Sequence, residues 1–445
     1  ADPIDADQKL QEDALMSYVA SVNYSYGDKY YASFSFRRDG SSRLSPDTRW
    51  GNFWSLSASW RLSQEKFMQP LKSVLSDLKL RASYGVNGNL PSSYYGYQST
   101  YTTGAFYSGK PSPWESTLGN EELTWEKNYA LNLGLDIGLF SRVNVSLDWY
   151  TRTTKDLLMS KQLNSISGFS SLLTNVGQMR NTGVELEVRS NNIKTKDFSW
   201  TTAFNLSHNK NKILKLADLP WFVDGRYVRK EGYPFNTIYL REYAGVDPET
   251  GSALYYDNQQ DENGNYTKNK VTDPGQASPI PLKDITPTIS GGFMNTFNYK
   301  FIDLSFNLSY SFGGYSYDNA SYILQDDGYS VISNKSTEQR RRWQKPGDIT
   351  DVPRFVYGNK KGGNYNSSRA IHSTDHIRLK SLILGLNAPK AWLQKLGIGN
   401  ARIYFSGTNL LTWAAYDQYD PEMSGVVGFY TPPLKTYAFG LELKF

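Results

Sequence analysis

An all-β fold, and within that class an antiparallel transmembrane β-barrel, is what this sequence predicts. Three observations predict it. Long stretches alternate apolar and polar residues with period two, the connections between them alternate between short and long, and aromatics are abundant although no apolar run is long enough for a membrane helix. Successive side chains of a strand point to opposite faces, so period two marks one apolar and one polar face. A membrane helix needs roughly 20 apolar residues in succession. A barrel escapes that requirement because its apolar residues are interleaved with polar ones.

The elements follow in order. Tyr18, Ala20, Val22, Tyr24 and Tyr26 alternate with Val19, Ser21, Asn23 and Ser25. Trp54, Leu56, Ala58, Trp60 and Leu62 alternate with Ser55, Ser57, Ser59 and Arg61. Leu131, Leu133, Leu135, Ile137 and Leu139 alternate with Asn132, Gly134, Asp136 and Gly138. Ile302, Leu304, Phe306, Leu308, Tyr310 and Phe312 alternate with Asp303, Ser305, Asn307, Ser309 and Ser311. At the end, Tyr437, Phe439, Leu441, Leu443 and Phe445 oppose Thr436, Ala438, Gly440, Glu442 and Lys444. Reading the whole chain this way places roughly thirteen strands, near 15–26, 29–38, 52–63, 77–87, 123–139, 142–155, 177–190, 197–209, 288–300, 302–313, 375–387, 400–410 and 434–445. Runs of about 9–13 residues exceed the 5–6 usual for soluble strands and suit tilted membrane strands.

Short connections fall at Gly27–Lys29, Phe140–Arg142 and near Lys300, and long ones at 88–122, 210–287, 314–374 and 411–433. Ser63–Asp77 and Ala388–Asn400 read as brief helical turns on the short side. Membrane barrels have short periplasmic turns and long extracellular loops. The rule sets Phe445 at the end of an inward-running strand. Counting back, residues 1–14 lie outside the cell and 15–445 supply the membrane strands and loops. A barrel exported from the inside then needs an odd number of strands before Ala1, and another polypeptide segment must close it, because an open edge in lipid leaves backbone groups unpaired.

Composition narrows the function. The 445 residues include 33 Tyr and 11 Trp, which suits aromatic belts at two membrane interfaces. With no cysteine, disulfide and thiolate chemistry are excluded. The net charge of +5 is scattered in both signs, which argues against nucleic-acid binding. The opening ADPIDADQKL has neither the apolar core nor the basic start of a signal peptide.

Several ordered blocks resemble the SusC/RagA family of TonB-dependent outer-membrane transporters. They are FSFRRDGSSRL (Phe34–Leu44), RWGNFWSLSASWRLSQEKF (Arg49–Phe67), LKLRASYGVNGN (Leu78–Asn89), NTGVELEV (Asn181–Val188), EGYPFNTIY (Glu231–Tyr239), DPETGSALYYD (Asp247–Asp257), RRWQKPGDITDVPRF (Arg341–Phe355), HIRLKSLILGLNAPK (His376–Lys390), ARIYFSGTNLLTW (Ala401–Trp413) and the ending TYAFGLELKF. The resemblance implies the C-terminal part of a barrel of about 22 strands, with the plug domain and the TonB-contacting segment upstream of this chain. It implies import of oligosaccharides or peptides across the outer membrane of a Gram-negative bacterium. A SusD-like surface lipoprotein would serve as lid, TonB as energy source and outer-membrane lipid as surroundings. A passive porin or adhesin barrel, and a secreted aromatic-rich glycan-binding β-sandwich, are the rival readings.

Candidate residues divide by chemistry. Loop aromatics Tyr94, Tyr95, Tyr97, Tyr101, Trp114, Trp221, Tyr243, Tyr322 and Trp343 are candidates to stack on sugar rings or clamp peptide side chains, or else to pack among the loops. Arg37, Arg38 and Asp39 are candidates for a lid or plug contact, or for a hydrogen-bonded turn in which Gly40 supplies unusual backbone angles. Phe445 ends a strand of the kind read as an assembly signal. Asp257–Asn265 offers oxygen ligands but lacks calcium-loop spacing. His208, His372 and His376 do not form a metal set, and no catalytic constellation stands out, so neither cofactor nor enzymatic activity is expected.

Overall fold

The computed structural model describes residues 10–216, 219–359, 366–389, 392–393 and 397–445. Thirteen long strands carry the alternating pattern: β1 (Leu15–Tyr26), β2 (Tyr30–Ser41), β3 (Trp50–Arg61), β4 (Leu75–Asn89), β5 (Glu126–Leu139), β6 (Val143–Lys155), β7 (Gln178–Lys194), β8 (Phe198–Lys215), β9 (Ile289–Tyr299), β10 (Ile302–Phe312), β11 (His376–Asn387), β12 (Asn400–Ala414) and β13 (Thr436–Lys444). They form one sheet in which each strand is hydrogen-bonded to its neighbours in this order, with β1 and β13 at the edges. The all-β class and the thirteen strands are as expected. No helix among the described residues is long and apolar enough to cross a membrane, which says nothing of a barrel.

Several boundaries differ from the sequence reading. β7 and β8 run on to Lys194 and Lys215, through Asn191–Lys194 and Lys210–Lys215. Polar strand ends carry no apolar mark, yet the backbone ladder continues through them. A further long connection, 156–177, joins β6 to β7 and was missing from the long loops read from sequence. The connection after β3 does contain brief helical turns, Leu62–Gln64 and Lys66–Leu71. Of the other expected turn, residues 390–391 and 394–396 lie outside the described residues, as do 1–9 of the expected outer segment.

The chain divides into two compact units, Ala1–Glu185 with Lys210–Pro220, and Leu186–Asn209 with Trp221–Phe445. In the first unit, β1 and β2 meet through the three residues Gly27–Lys29. Gly27 and Asp28 both have positive φ, 58° and 55°, the hairpin geometry that matches strand twist. The apolar face of the strands is exposed, Val22 by 66% and Leu56 by 53%. An exposed apolar face of this extent marks a surface that meets lipid or another protein. The buried core sits instead at the long-connection end, where Leu44, Phe53, Val86, Leu123 and Trp125 cluster. Phe53 and Trp125 meet edge to face with centroids 5.2 Å apart. On the polar face, the Arg81 guanidinium donates to both oxygens of Asp136 at 2.8 and 3.0 Å and to Asp148 at 2.9 Å.

In the second unit the polar face is built alike. Arg402 donates to Asp303 at 2.6 Å, and Asn387 donates to the same carboxylate at 2.9 Å. The register between β10 and β11 slips between Asn307 opposite Ser381 and Leu308 opposite Leu379, leaving Lys380 as an extra, bulged residue. The bulge keeps Ile377 and Leu379 on the same face as Leu382, Leu384 and Leu386. The long connections of this unit fold into small sheets. One has four strands, Trp221–Asp224, Tyr227–Lys230, Thr237–Leu240 and Ile280–Asp284. A second joins Tyr243–Val246, Ala253–Tyr256 and Lys270–Val271, and a third joins Ile371–Ser373, Tyr315–Asp318 and Gly425–Val427. Ile238, Leu240, Tyr317 and Ala370 form one core there, and Ala253, Tyr255 and Ala277 another.

Candidate functional site

The four-stranded sheet positions a cavity of about 490 Å³, within the range usual for small-molecule sites. Its walls include Trp221 and Tyr239, whose rings lie 5.9 Å apart at 46°. Tyr266, Gln259, Gln260 and Lys230 also line it. Strand pairing explains how they converge: Trp221 faces Lys230 across one ladder, and Tyr239 faces Pro281 across another. Gln260 is brought against Tyr266 by an isolated bridge. Fully buried Asn258 fixes the floor, donating to Glu242 at 3.3 Å and accepting from Lys268 at 3.0 Å. Gln259 is held by Ser278 Oγ at 3.1 Å. Burial, and to a smaller degree Tyr266, pushes the Tyr239 phenol above its usual pKa, so it stays a neutral hydrogen-bonding group. Among the described residues, the side-chain polar groups of Trp221, Tyr239, Gln260 and Tyr266 make no hydrogen bond to the protein.

Of the nine loop aromatics expected to meet a ligand, the structure places only Trp221 at this cavity. Tyr243 donates its hydroxyl to the Asp351 carbonyl at 2.9 Å, and burial raises its pKa. Tyr322 packs beside Tyr317. Trp343 donates to the Pro248 carbonyl at 2.8 Å and fills the space beside Gly251. Tyr94 lies under the Arg43 guanidinium at 4.1 Å and tilts against Tyr95, while Tyr97 accepts from Gln98 at 3.0 Å. Tyr101 and Trp114 stand exposed on the hairpin Thr100–Tyr107 and Lys110–Thr117. Sequence reading missed Tyr239, Tyr266, Gln259 and Gln260. They are scattered over the loop, and only its strand pairing joins them.

Arg37, Arg38 and Asp39 are engaged within the chain. Arg37 donates to Asp39 at 2.6 Å, and Arg38 lies over Trp50 at 5.3 Å. Gly40 sits within β2 rather than at a turn with positive φ. Its role is space: a Cβ there would lie 2.8 Å from the Trp50 ring. The following residues tie two connections together, since Ser45 donates to the Glu121 carbonyl and Thr48 to that of Leu123. In the acidic segment, Asp257 accepts from Thr267 and Asn269, and Asp261 from the Asn263 and Asn265 backbone. The Thr267 hydroxyl and the Asn265 amide, respectively, hold these two carboxyls below their usual pKa. The described residues contain no cluster suited to a metal ion. His208 meets the Thr288 carbonyl at 3.0 Å, His372 stacks flat on Tyr416 at 3.7 Å, and His376 meets the Thr374 carbonyl at 2.8 Å. Phe445, just beyond β13, is exposed.

Long antiparallel strands with an apolar outer face, an ion-paired polar face and folded connections define a protein of the outer-membrane barrel class. The chain belongs to the TonB dependent receptor-like, beta-barrel family, whose model matches residues 5–270. It is 33% identical to TonB-dependent receptor P3 of Formosa agariphila, over 98% of this chain and 46% of that protein. It is 31% identical to TonB-dependent receptor SusC of Bacteroides thetaiotaomicron, over 99% of this chain and 45% of that protein. A solved structure of the RagAB peptide transporter superposes with a TM-score of 0.88 at 31% identity, covering 97% of this chain and 48% of the other. The chain thus spans about half the length of the curated relatives it matches.

Proposed function

We propose that this chain is the C-terminal barrel part of a SusC-like importer in the outer membrane of a Gram-negative bacterium, with its long connections outside the cell. The assembled protein takes up oligosaccharides or peptides, drawing on TonB through an N-terminal portion that also carries the plug. A SusD-like lipoprotein closes over the loops. The observation that carries this reading is the folding of the long connections into their own cores around a cavity, on a chain similar along its length to SusC and to the RagAB transporter. A passive pore has less need of such a built outer layer. Arg37–Asp39 is proposed to meet plug or lid, the exposed Tyr101 and Trp114 to meet lid or cargo, and Phe445 to serve assembly.

The test is genetic. Deleting the gene in its native host should abolish growth on one class of oligomer, and inactivating TonB should do the same. Uptake that survives loss of TonB would leave a passive barrel as the better reading.

A further inference from the structure

We propose that the connection after β3 is a seat for an anionic phospholipid headgroup of the inner, periplasm-facing leaflet. The proposal takes from the barrel reading only that short connections lie at the periplasmic end, and it concerns the membrane rather than the cargo. The connection is tied to the apolar face of the sheet. Tyr30 and Trp60 are partners across the β2–β3 ladder and stack with centroids 6.2 Å apart, exposed at the end of that face. Both donate to the Glu65 carboxylate, Tyr30 at 2.6 Å and Trp60 at 3.2 Å. Glu65 thus pins the start of the helical turn Lys66–Leu71 beside an aromatic pair of the kind that marks a membrane interface.

The turn is a 3₁₀ helix, in which residues three apart lie above one another. The Lys72 N–H donates to the Gln69 carbonyl and that of Val74 to Leu71, which carries the same step to Val74. Lys66, Gln69 and Lys72 therefore share one side, Phe67 and Pro70 a second, and Met68, Leu71 and Val74 the third. Phe67 is 63% exposed, and Leu71 and Val74 are exposed with it. The neighbouring turn Phe140–Arg142 is held alongside, since the Phe140 N–H donates to the Val74 carbonyl at 2.8 Å. It adds exposed Phe140 and Arg142, whose guanidinium lies 6.0 Å from that ring. No acidic residue occurs between Lys66 and Val74. Among the described residues, Lys66, Lys72 and Arg142 make no ion pair. The acids around them are already matched, Glu65 by Lys29 at 2.8 Å, and Asp28 and Asp77 by Arg61 at 3.0 and 2.9 Å. Free cations beside exposed rings and aliphatic groups suit a lipid: the phosphate meets the cations and the acyl chains meet the apolar sides. A protein partner is served less well, because lysine is depleted from protein–protein interfaces.

The test uses the full-length receptor that contains this chain, purified in detergent. Dioleoyl phosphatidylglycerol and dioleoyl phosphatidylethanolamine are titrated against it, and bound lipid is followed by native mass spectrometry. Phosphatidylglycerol should bind the more tightly. Lys66→Gln with Lys72→Gln should weaken that binding about tenfold, and Lys66→Arg with Lys72→Arg should keep it. Lys110→Gln with Lys345→Gln, which removes the same charge from exposed sites on the long connections, should change nothing. All four lysines are exposed, so folding should survive, which the heat-modifiable band of the barrel on gels checks for each variant. In a nanodisc of the two lipids, a bimane label on Leu71→Cys should be quenched by lipid carrying a nitroxide near its headgroup. Equal binding of the two lipids, binding indifferent to the Lys66 and Lys72 changes, or an unquenched label overturns the proposal. A label shielded only when periplasmic extract is added overturns it too, and assigns the patch to a protein. TonB-dependent uptake is measured separately, so the importer reading stands or falls on its own.

Discussion

Two glycines show how little room the polar face leaves. A Cβ on Gly134 would lie 2.5 Å from both Arg81 Cζ and Asp148 Oδ1, and one on Gly385 would lie 2.5 Å from both Asp303 oxygens. In each case the missing side chain is what lets an arginine and a carboxylate meet across it. Gly134→Ala should therefore displace the Arg81 pair and destabilise the barrel by about 1–3 kcal/mol, the usual cost of overpacking. Thermal unfolding of the full-length receptor in detergent checks this, and an unchanged midpoint would count against it. His372 gives a pH dependence. Burial lowers its pKa below the ordinary 6.5, with Asp318 pulling the other way. A depressed folded pKa means that the unfolded chain takes the proton first. The stability His372 contributes is thus intact above about 6.5 and is lost as pH falls from there through the folded value. Hydrogen exchange at 371–373, corrected for intrinsic rates, should quicken between pH 7.5 and 5.5. His372→Phe, which keeps the stacking on Tyr416, should remove that dependence.

Among the elements, β11 anchors the last long connection. Arg378, 3% exposed, donates to Asp420 at 2.7 Å and to Glu422 at 2.9 Å, and the bulged Lys380 reaches Glu422 at 2.5 Å. Removing one partner of a buried pair costs about 3–5 kcal/mol because it strands the other charge. Arg378→Met should open 415–435 to limited proteolysis, and Arg378→Met with Asp420→Leu should recover most of the protection. Persistent resistance in the single variant would show that the pair is not the anchor. The strands were legible in sequence because each half-buried face repeats at period two over a dozen residues. The connections were not, because strands such as Tyr227–Lys230 are too short to show a period and pair with partners far along the chain, as Tyr239 does with Pro281. The bulge at Lys380 was hidden for a related reason: it shifts the alternation by one, so the run from His376 to Asn387 reads as a blurred pattern. Trp221 could be named in advance as an aromatic in a loop. Its neighbours in the cavity could not, since amides and hydroxyls are ordinary loop residues until pairing brings them together.

For the molecule as a whole, the two edges matter most. β1 pairs only with β2 and β13 only with β12 among the described residues, and every residue of β1 is exposed. Unpaired strand edges cost several kcal/mol per backbone group in lipid. The chain expressed alone should therefore fail to give the compact, heat-modifiable band of a closed barrel, and should give it when the preceding part of the receptor is supplied, covalently or in trans. A compact band from this chain alone would refute the need for a partner. The folded connections have a different bearing. The segment between Lys215 and Ile289 buries part of its apolar surface within itself, as in the cluster of Ala253, Tyr255 and Ala277, and part against other connections, as where Ile238 and Leu240 share a core with Tyr317 and Ala370. Such a segment is woven into its neighbours, since Tyr243 also donates to the Asp351 carbonyl and Trp343 to that of Pro248. Exchanging it alone for a foreign segment should unseat Tyr317 and Ala370 as well, so the connections of this unit have to change in concert.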